Sequence, residues 1–457
     1  MTTIDELIRV RKEKLQKIRE LGINPYPSEC LWETTPVAKA AKLKTKLVVR
    51  GRLTGWREHG QIVFADLKDE SGIIQLWFQK DLLGNKFEML KLLDVGDFVA
   101  AKGEVTKTKA GELSVDVTDW QILAKSLRPV PSEWFGLKDE ETRYRERYLD
   151  LLLRDDLKDL FKKKSVFWDS MREFLADKGF LEVETPVLEA TAGGADAAPF
   201  ITHHNALDTD FYLRISMGEL WQKRLMVAGF EKTFEIGRQF RNEGISREHL
   251  QDYTQMEFYW AYANFEDSMR LVEEMYKYVI KKTFGKLEFT VDGQKVDLSK
   301  RWERIDYVST IKEKTGVDVT KMSDAREIDQ LWKQVRKDIS GPAFLTGHPV
   351  VVSPLAKRQE SNPDFAERYQ IIIAGSELGN GYSELNDPID QQERFLKQQE
   401  MRNKGDAEAQ MNDADFVKAI EYGMPPVSGF GVSERLFSFL CDLPIRETVL
   451  FPLLRPV

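Results

Sequence analysis

The chain has 457 residues, enough for two or three domains, each burying a core of its own. Charged residues make up 31% and hydrophobic ones 42%, and the formal net charge is −8, so any contact with nucleic acid has to be a local basic patch. The two cysteines, Cys30 and Cys441, form no CxxC pair, and with five scattered histidines they argue against structural zinc and disulfide scaffolds and for a reducing compartment.

The first segment, MTTIDELIRVRKEKLQKIRELGINPYP, reads as an amphipathic basic helix closed by Gly22 and Pro25. It lacks the uninterrupted apolar run and small-residue cleavage site of a signal peptide. No stretch reaches 18 apolar residues, so a cytoplasmic protein with no membrane partner is expected. Residues 46–126 then change character. TKLVVRGRLTGWR, GQIVFADLKDES, GIIQLWFQKD, DFVAAKGEVTKT and ELSVDVTDWQILA are short strands separated by turn residues, with a helical patch, KFEMLKLL, between the third and fourth. That order fits an oligonucleotide-binding OB barrel, with a generic small barrel as the alternative. Residues 128–148 carry two prolines and a charge run and read as a linker. A long amphipathic helix is expected from 149 to about 178, strands over 180–265, helices at 266–284 and 321–338, strands again at 367–386, and a helix at 412–422. The resulting fold class is α+β: a barrel followed by an antiparallel sheet flanked by helices. The domains are 1–45 (helix and lead-in), 46–127 (barrel), 128–148 (linker) and 149–457.

Three segments carry the chemistry. FRNEGISREH (240–249) lies between FEIGRQF and YTQMEFYWAYANF, two period-two runs that read as antiparallel strands. Arg241 and Glu243, two apart, are expected to project together from the strand end as a pocket wall. In GSELGNGYSELND (375–387), Glu377, Asn380 and Glu384 interrupt an apolar run, and buried acids there need a cation, a metal or a ligand ammonium as partner. An intramolecular salt bridge would satisfy any one of them equally well. In GFGVSERLFSFL (429–440), glycines at 429 and 431 allow backbone to approach a ligand, and Arg435 opens a helix. No phosphate-binding P-loop or dinucleotide fingerprint is present. KMSD (321–324) shares letters with a class I synthetase loop, but Asp324 breaks the match and no HIGH partner exists.

In order, FLEVETPVL (180–188), the 234–265 segment and GFGVSERLFSFL (429–440) resemble motifs 1, 2 and 3 of class II aminoacyl-tRNA synthetases. AGGADAAPFITHHNALD (192–208), RNEGIS (241–246), VSPLAKRQESNPDFAERY (352–369), LGNGYSELND (378–387) and EYGMPP (421–426) extend the likeness specifically to the class II lysyl-tRNA synthetase family, over roughly residues 20–456. The resemblance implies ATP-dependent activation of L-lysine to lysyl-adenylate and transfer to tRNA(Lys), in a homodimer built on motif 1, with Mg²⁺ as cofactor and no DNA partner. It implies catalytic roles for Arg241, bridging the α-phosphate and the lysine carboxylate, and for Arg435. The ATP-binding residues it implies are Arg241, Glu243 at the adenine amino group, His249 near the outer phosphates, Tyr253 and Arg435 on the two adenine faces, and Glu377. For lysine they are Gly194, Glu219 at the α-amino group, Arg241, Glu257, Tyr259, Asn380, Tyr382 and Glu384, none of them basic but Arg241. An aspartyl- or asparaginyl-type ligase would need a basic residue near Glu257 or Glu384. The metal carboxylate is Glu377, with Gln370 at the position of a second. In the barrel, Phe64 and Gln75 match the pair that reads a central anticodon uridine, with Arg57 and Glu112 as further contacts.

Four departures stand out. Gln370 replaces an expected carboxylate, motif 3 is one residue short and lacks its third glycine, RISMGELWQKR (214–224) is one residue long, and Ala198 stands where an arginine is usual. Gln370 and the short motif 3 are the only features that favour a catalytically silent tRNA-binding paralogue.

Overall fold

The computed structural model describes residues 3–43, 45–131, 139–244, 246–406 and 408–456, so part of the linker read over 128–148 lies outside the described residues. The chain forms two compact units, 1–143 and 144–457.

In the first unit, helix α1 (Ile4–Glu20) is capped by the Thr3 side chain, carries Asp5 and Glu6 in its first turn and Lys17 and Arg19 in its last, and so suits its own dipole. A short helix, α2 (Val37–Ala40), precedes the barrel. Strands β1 (Lys46–His59), β2 (Ile62–Lys68), β3 (Ile73–Gln79), β4 (Phe98–Lys107) and β5 (Leu113–Ala124) close in the order β1-β2-β3-β5-β4. Strict alternation drives the closure: in β2, Val63, Ala65 and Leu67 face inward while Phe64 and Asp66 face out. The expected helical patch between β3 and β4 is one turn of α-helix, α3 (Lys80–Leu83), and then a 3₁₀ segment (Gly84–Leu92) that seats Phe87 and Leu90 in the core.

Helix α4 (Glu140–Arg145) follows. The helix expected from 149 to 178 is two pieces, α5 (Arg147–Leu153) and α6 (Asp155–Asp177). Extended backbone at Arg154 separates them, and the Asp155–Asp156 pair opens a new N-terminus. Next come β6 (Leu181–Glu182) and a three-stranded sheet of β7 (Leu188–Glu189), β8 (Ile201–His204) and β9 (Thr209–Leu213), in the order β7-β9-β8.

Helix α7 (Glu219–Val227) interrupts the region expected to be strand-rich. It is buried on several sides, so no one-sided apolar stripe betrays it, and left-handed Gly218 (φ 67°) starts it. The two motif 2 strands pair antiparallel as expected: β10 (Lys232–Phe240) with β11 (Asp252–Ala261). Helix α8 (Phe265–Phe284) follows, with a capping box between Asn264 and Asp267. A hairpin of β12 (Glu288–Val291) and β13 (Gln294–Asp297), then β14 (Glu303–Asp306) and α9 (Tyr307–Thr315), are elements the sequence patterns leave unmarked. Helix α10 (Ala325–Val335) starts on Asp324, whose side chain caps Arg326 and Glu327, so the KMSD letters are a helix start. β15 (Ala343–Thr346), β16 (Arg368–Ile373) and β17 (Ser376–Ser383) then lead into α11 (Pro388–Asn403). That helix also went unread: it is mostly polar, and its only strong marks are the Asp387 cap and Pro388 at its first turn. Helix α12 (Ala414–Glu421), β18 (Val427–Ser433) and α13 (Arg435–Leu440) complete the unit.

The main sheet has eight strands in the order β14-β15-β16-β17-β18-β11-β10-β6, antiparallel except for the two outermost pairs. One face takes Phe258, Phe430, Tyr369 and Ile371, packed against Phe167 and Met171 of α6 and Val272, Met275 and Tyr276 of α8. The opposite face is kept for polar side chains. Among the described residues no helix is long and apolar enough to cross a membrane.

Candidate active site

The polar face of the sheet is ruled by register. Gln370 of β16 pairs with Asn380 of β17, Asn380 with Gly431 of β18, and Gly431 with Glu257 of β11. Two residues along, Arg368, Tyr382, Gly429 and Tyr259 form a parallel row. Residues scattered between positions 257 and 431 thus stand side by side because a strand shows every second side chain on one face. The glycines are the floor: a Cβ at 429 would collide with Glu384 and the Tyr259 ring, and one at 431 would come within 3.2 Å of Glu257 Cγ.

Above these rows lies a cavity of about 450 Å³. Every unit-two residue singled out from sequence lines it: Gly194, Glu219, Arg241, Glu243, His249, Tyr253, Glu257, Tyr259, Gln370, Glu377, Asn380, Tyr382, Glu384 and Arg435. Arg241 and Glu243 do not project from a strand end, however. β10 stops at Phe240, and both residues sit in the loop beyond it, fastened by Arg241 N–H to the Gln251 carbonyl at 2.8 Å. The Arg241 guanidinium lies 5.9 Å from the Tyr253 ring centre and donates to the Ile215 carbonyl.

At one end of the cavity three buried carboxylates converge. Glu257 accepts from the Met217 N–H (3.0 Å), Gln255 (2.6 Å) and the Tyr259 hydroxyl (2.9 Å). Burial, and then the charge of Glu219, push its pKa up to about 7. Glu219 accepts from the Tyr382 hydroxyl at 2.5 Å and from Lys223 at 2.7 Å. Glu384 forms an ion pair with the same Lys223. Burial lifts Glu384 well above the ordinary carboxylate range; Lys223 pulls it back, while Glu219 and Glu257 add to the rise. The alternation rules miss Lys223 because it belongs to α7; the signal was the Glu-x-x-x-Lys spacing of ELWQK, which puts both on one helical face. A basic residue does therefore stand beside Glu384, but two carboxylates already claim it.

The other end is cationic and aromatic. Arg435 pairs with Glu248 at 2.5 Å, and its neighbour Glu434 is fully buried, ion-paired to Lys164 and accepting from the Thr254 N–H at 3.0 Å. Glu248, Arg368, which holds Asn380 at 2.9 Å, and Asp196, which accepts from Gln410, line the cavity and were not singled out from sequence. Each sits in a segment that was quoted, but none stands out by residue type alone.

The donor set for a hard cation is thin. Glu377 accepts from Trp332 (2.6 Å) and Gln370 (3.3 Å), with Arg336 at 4.0 Å. Gln370 in turn meets His348 at 3.1 Å, a buried imidazole that burial holds neutral. Among the described residues no three His, Cys, Asp or Glu gather closely enough to cage a metal. One carboxylate fits a cation that arrives already bound to phosphates.

In the barrel, Phe64 lies on the outer face, so it is not core, and stacks on Trp77 with ring centres 6.1 Å apart. Gln75 is buried, donating to Glu112 at 2.8 Å and accepting from Ser114 at 2.7 Å. Arg57 is bidentate to Asp66, both bonds 2.8 Å.

The model of OB-fold nucleic acid binding domains matches residues 47–123. Over its full length the chain is similar to the lysine–tRNA ligases of Carboxydothermus hydrogenoformans (45% identical, 99% of each chain), Syntrophomonas wolfei (44%, 99% of this chain and 98% of that one) and Thermotoga maritima (42%, 99% and 97%). The model of class II tRNA synthetases for D, K and N matches residues 139–455, and with that span and these relatives the chain belongs to the class II aminoacyl-tRNA synthetases.

Proposed function

We infer that this protein is a lysine–tRNA ligase: it activates L-lysine with ATP and transfers it to tRNA(Lys) in protein synthesis. The observation that carries this reading is the charge of the closed end of the cavity. Glu219, Glu257 and Glu384 face it with Lys223 as their only ion-paired cation among the described residues, leaving two negative charges for the two ammonium groups of lysine. An aspartate side chain would need a free cation there, and Lys223 is not free. The similar lysine–tRNA ligases support the same assignment.

In this reading lysine lies with its ε-ammonium at Glu384 and Glu257, its stem along Tyr259 and Tyr382, and its α-amino group at Glu219 and Gly194. Asn380, held by Arg368, completes the wall. Arg241 brings the lysine carboxylate to the α-phosphate of ATP. The carboxylate oxygen bonds to that phosphorus as the bond to pyrophosphate breaks, giving lysyl-adenylate, and Arg241 stabilises the charge on both reactants. Glu243 takes the adenine amino group, Tyr253 and Arg435 its two faces, and His249 the outer phosphates. Glu377 would hold Mg²⁺ arriving with ATP, which supplies charge neutralisation to the phosphates, while Gln370 turns its amide nitrogen to Glu377 and its oxygen to His348. Phe64 and Gln75, flanked by Arg57 and Glu112, read the anticodon. A homodimer is supported by the exposed apolar side chains around motif 1: Leu181, Val187 and Leu188, with Ile201 nearby. A tRNA substrate puts the enzyme in the cytoplasm. The test is ATP–pyrophosphate exchange with each of the twenty amino acids. Lysine alone should support exchange; exchange with aspartate or asparagine, or none at all, would overturn the assignment.

A further inference from the structure

Lys223, counted above only as a cation already claimed by two carboxylates, is completely buried. Its ammonium touches Glu219 and Glu384, the two carboxylates assigned to opposite ends of the lysine substrate, and lies 5.7 Å and 5.9 Å from the rings of Tyr382 and Phe416. It does not line the cavity; the carboxylates do, and Lys223 reaches them from behind on α7. A pseudo-substrate lysine, waiting to be displaced, would occupy the cavity itself. This one is part of the wall.

We propose that Lys223 is a permanent counter-ion that sets the charge, and hence the specificity, of the lysine pocket. Its effect follows from what faces it. Glu219 comes from the same helix, Glu384 from the segment after β17, and Glu257 with Tyr259 from β11; Tyr382 bonds to Glu219. Three carboxylates this close cannot all ionise in a dry pocket without help. Lys223 neutralises one charge and bonds Glu219 through Oε1 alone, leaving Oε2 without that tie. Its ion pair with Glu384 is made through the buried Oε2, so Oε1 is the oxygen of that carboxylate not tied to Lys223. With all three carboxylates ionised in the bound state, two net negative charges remain, which match a dicationic amino acid and no monocationic one. Lys223 is a positioning residue, since it acts through Glu219 and Glu384.

The inference rests on the lysine reading, and the experiment separates the two. Wild-type exchange with lysine tests the reading. Lys223→Met, nearly isosteric and uncharged, tests the counter-ion. Without Lys223 a proton takes its place on Glu384, so lysine must displace that proton to bind. The lysine KM of Lys223→Met should rise on the order of tenfold at pH 7 and fall as pH is raised, by at most about one decade per pH unit. The ATP KM should stay within about twofold, which also reports that the variant is folded, and Lys223→Arg should restore much of the wild-type profile. If Lys223→Met does not fold, Lys223→Arg alone decides, because a purely space-filling role predicts that the larger guanidinium is damaging, whereas a counter-ion role predicts that it is tolerated. An active wild type whose Lys223→Met variant keeps an unmoved lysine KM and pH profile overturns the counter-ion and spares the lysine reading. A wild type inactive with lysine overturns both.

Discussion

Glu257 makes lysine binding depend on pH near neutrality. Its carboxyl, raised to about 7 chiefly by burial and then by the charge of Glu219, must be ionised to accept the substrate ammonium. Below that value the empty pocket holds a proton which lysine has to expel. At pH 6 about nine-tenths of the carboxyl is protonated and at pH 8 about one-tenth, so the lysine KM should fall roughly tenfold between them, about 1.4 kcal/mol. The sign follows from the direction of the shift. A carboxyl raised from about 4.5 to about 7 binds its proton more tightly in the folded than in the unfolded chain, so its contribution to stability is complete below 4.5 and is lost as pH rises through 7. Saturating lysine should offset that loss. Because Glu219 and Glu384 share the pocket, the step observed belongs to the cluster rather than to one residue. The assay is pyrophosphate exchange with lysine titrated at pH 6, 7 and 8 under saturating ATP, with ATP titrations as control. Calorimetry in buffers of different ionisation enthalpy should detect the released proton. Glu257→Gln should bind lysine more weakly and flatten the profile. A lysine KM constant within twofold from pH 6 to 8 in the unmodified enzyme would refute the reasoning.

Glu384→Gln should raise the lysine KM by roughly 10- to 150-fold, the range for a charge-assisted hydrogen bond, and leave the ATP KM alone, whereas Glu243→Gln should do the reverse; paired exchange titrations distinguish them. Gly429→Ala, whose Cβ would run into Glu384 and Tyr259, should raise the lysine KM in the same assay without changing the ATP KM. Phe64→Ala should weaken tRNA charging by about 1–3 kcal/mol and leave lysine activation untouched; equal loss in both steps would mean that Phe64 has a structural role. Sedimentation at micromolar concentration should give a dimer, and Leu188→Glu should shift it toward monomer; a fully active wild-type monomer would refute that expectation.

Much of this was legible in the sequence because it rests on local rules. Alternation at period two marks the barrel strands and the motif 2 hairpin, and the order of five strands with an interruption after the third marks the barrel type. The chemistry-bearing residues announced themselves by being polar where their neighbours are apolar, as at Glu377 and Glu384. Helices α7 and α11 escaped for opposite reasons, one buried on several sides and the other polar over most of its length, so neither shows an apolar stripe on a polar ground. What only the tertiary structure decided is which of these residues share an environment. Register brings Gln370, Asn380, Gly431 and Glu257 into one row, a relation between four strands that no strand encodes alone. The same holds for electrostatics: Glu219, Glu257, Glu384 and Lys223 come from three separate segments. Whether such groups are charged depends on their mutual distance and on exclusion of water, and both exist only once the chain has packed.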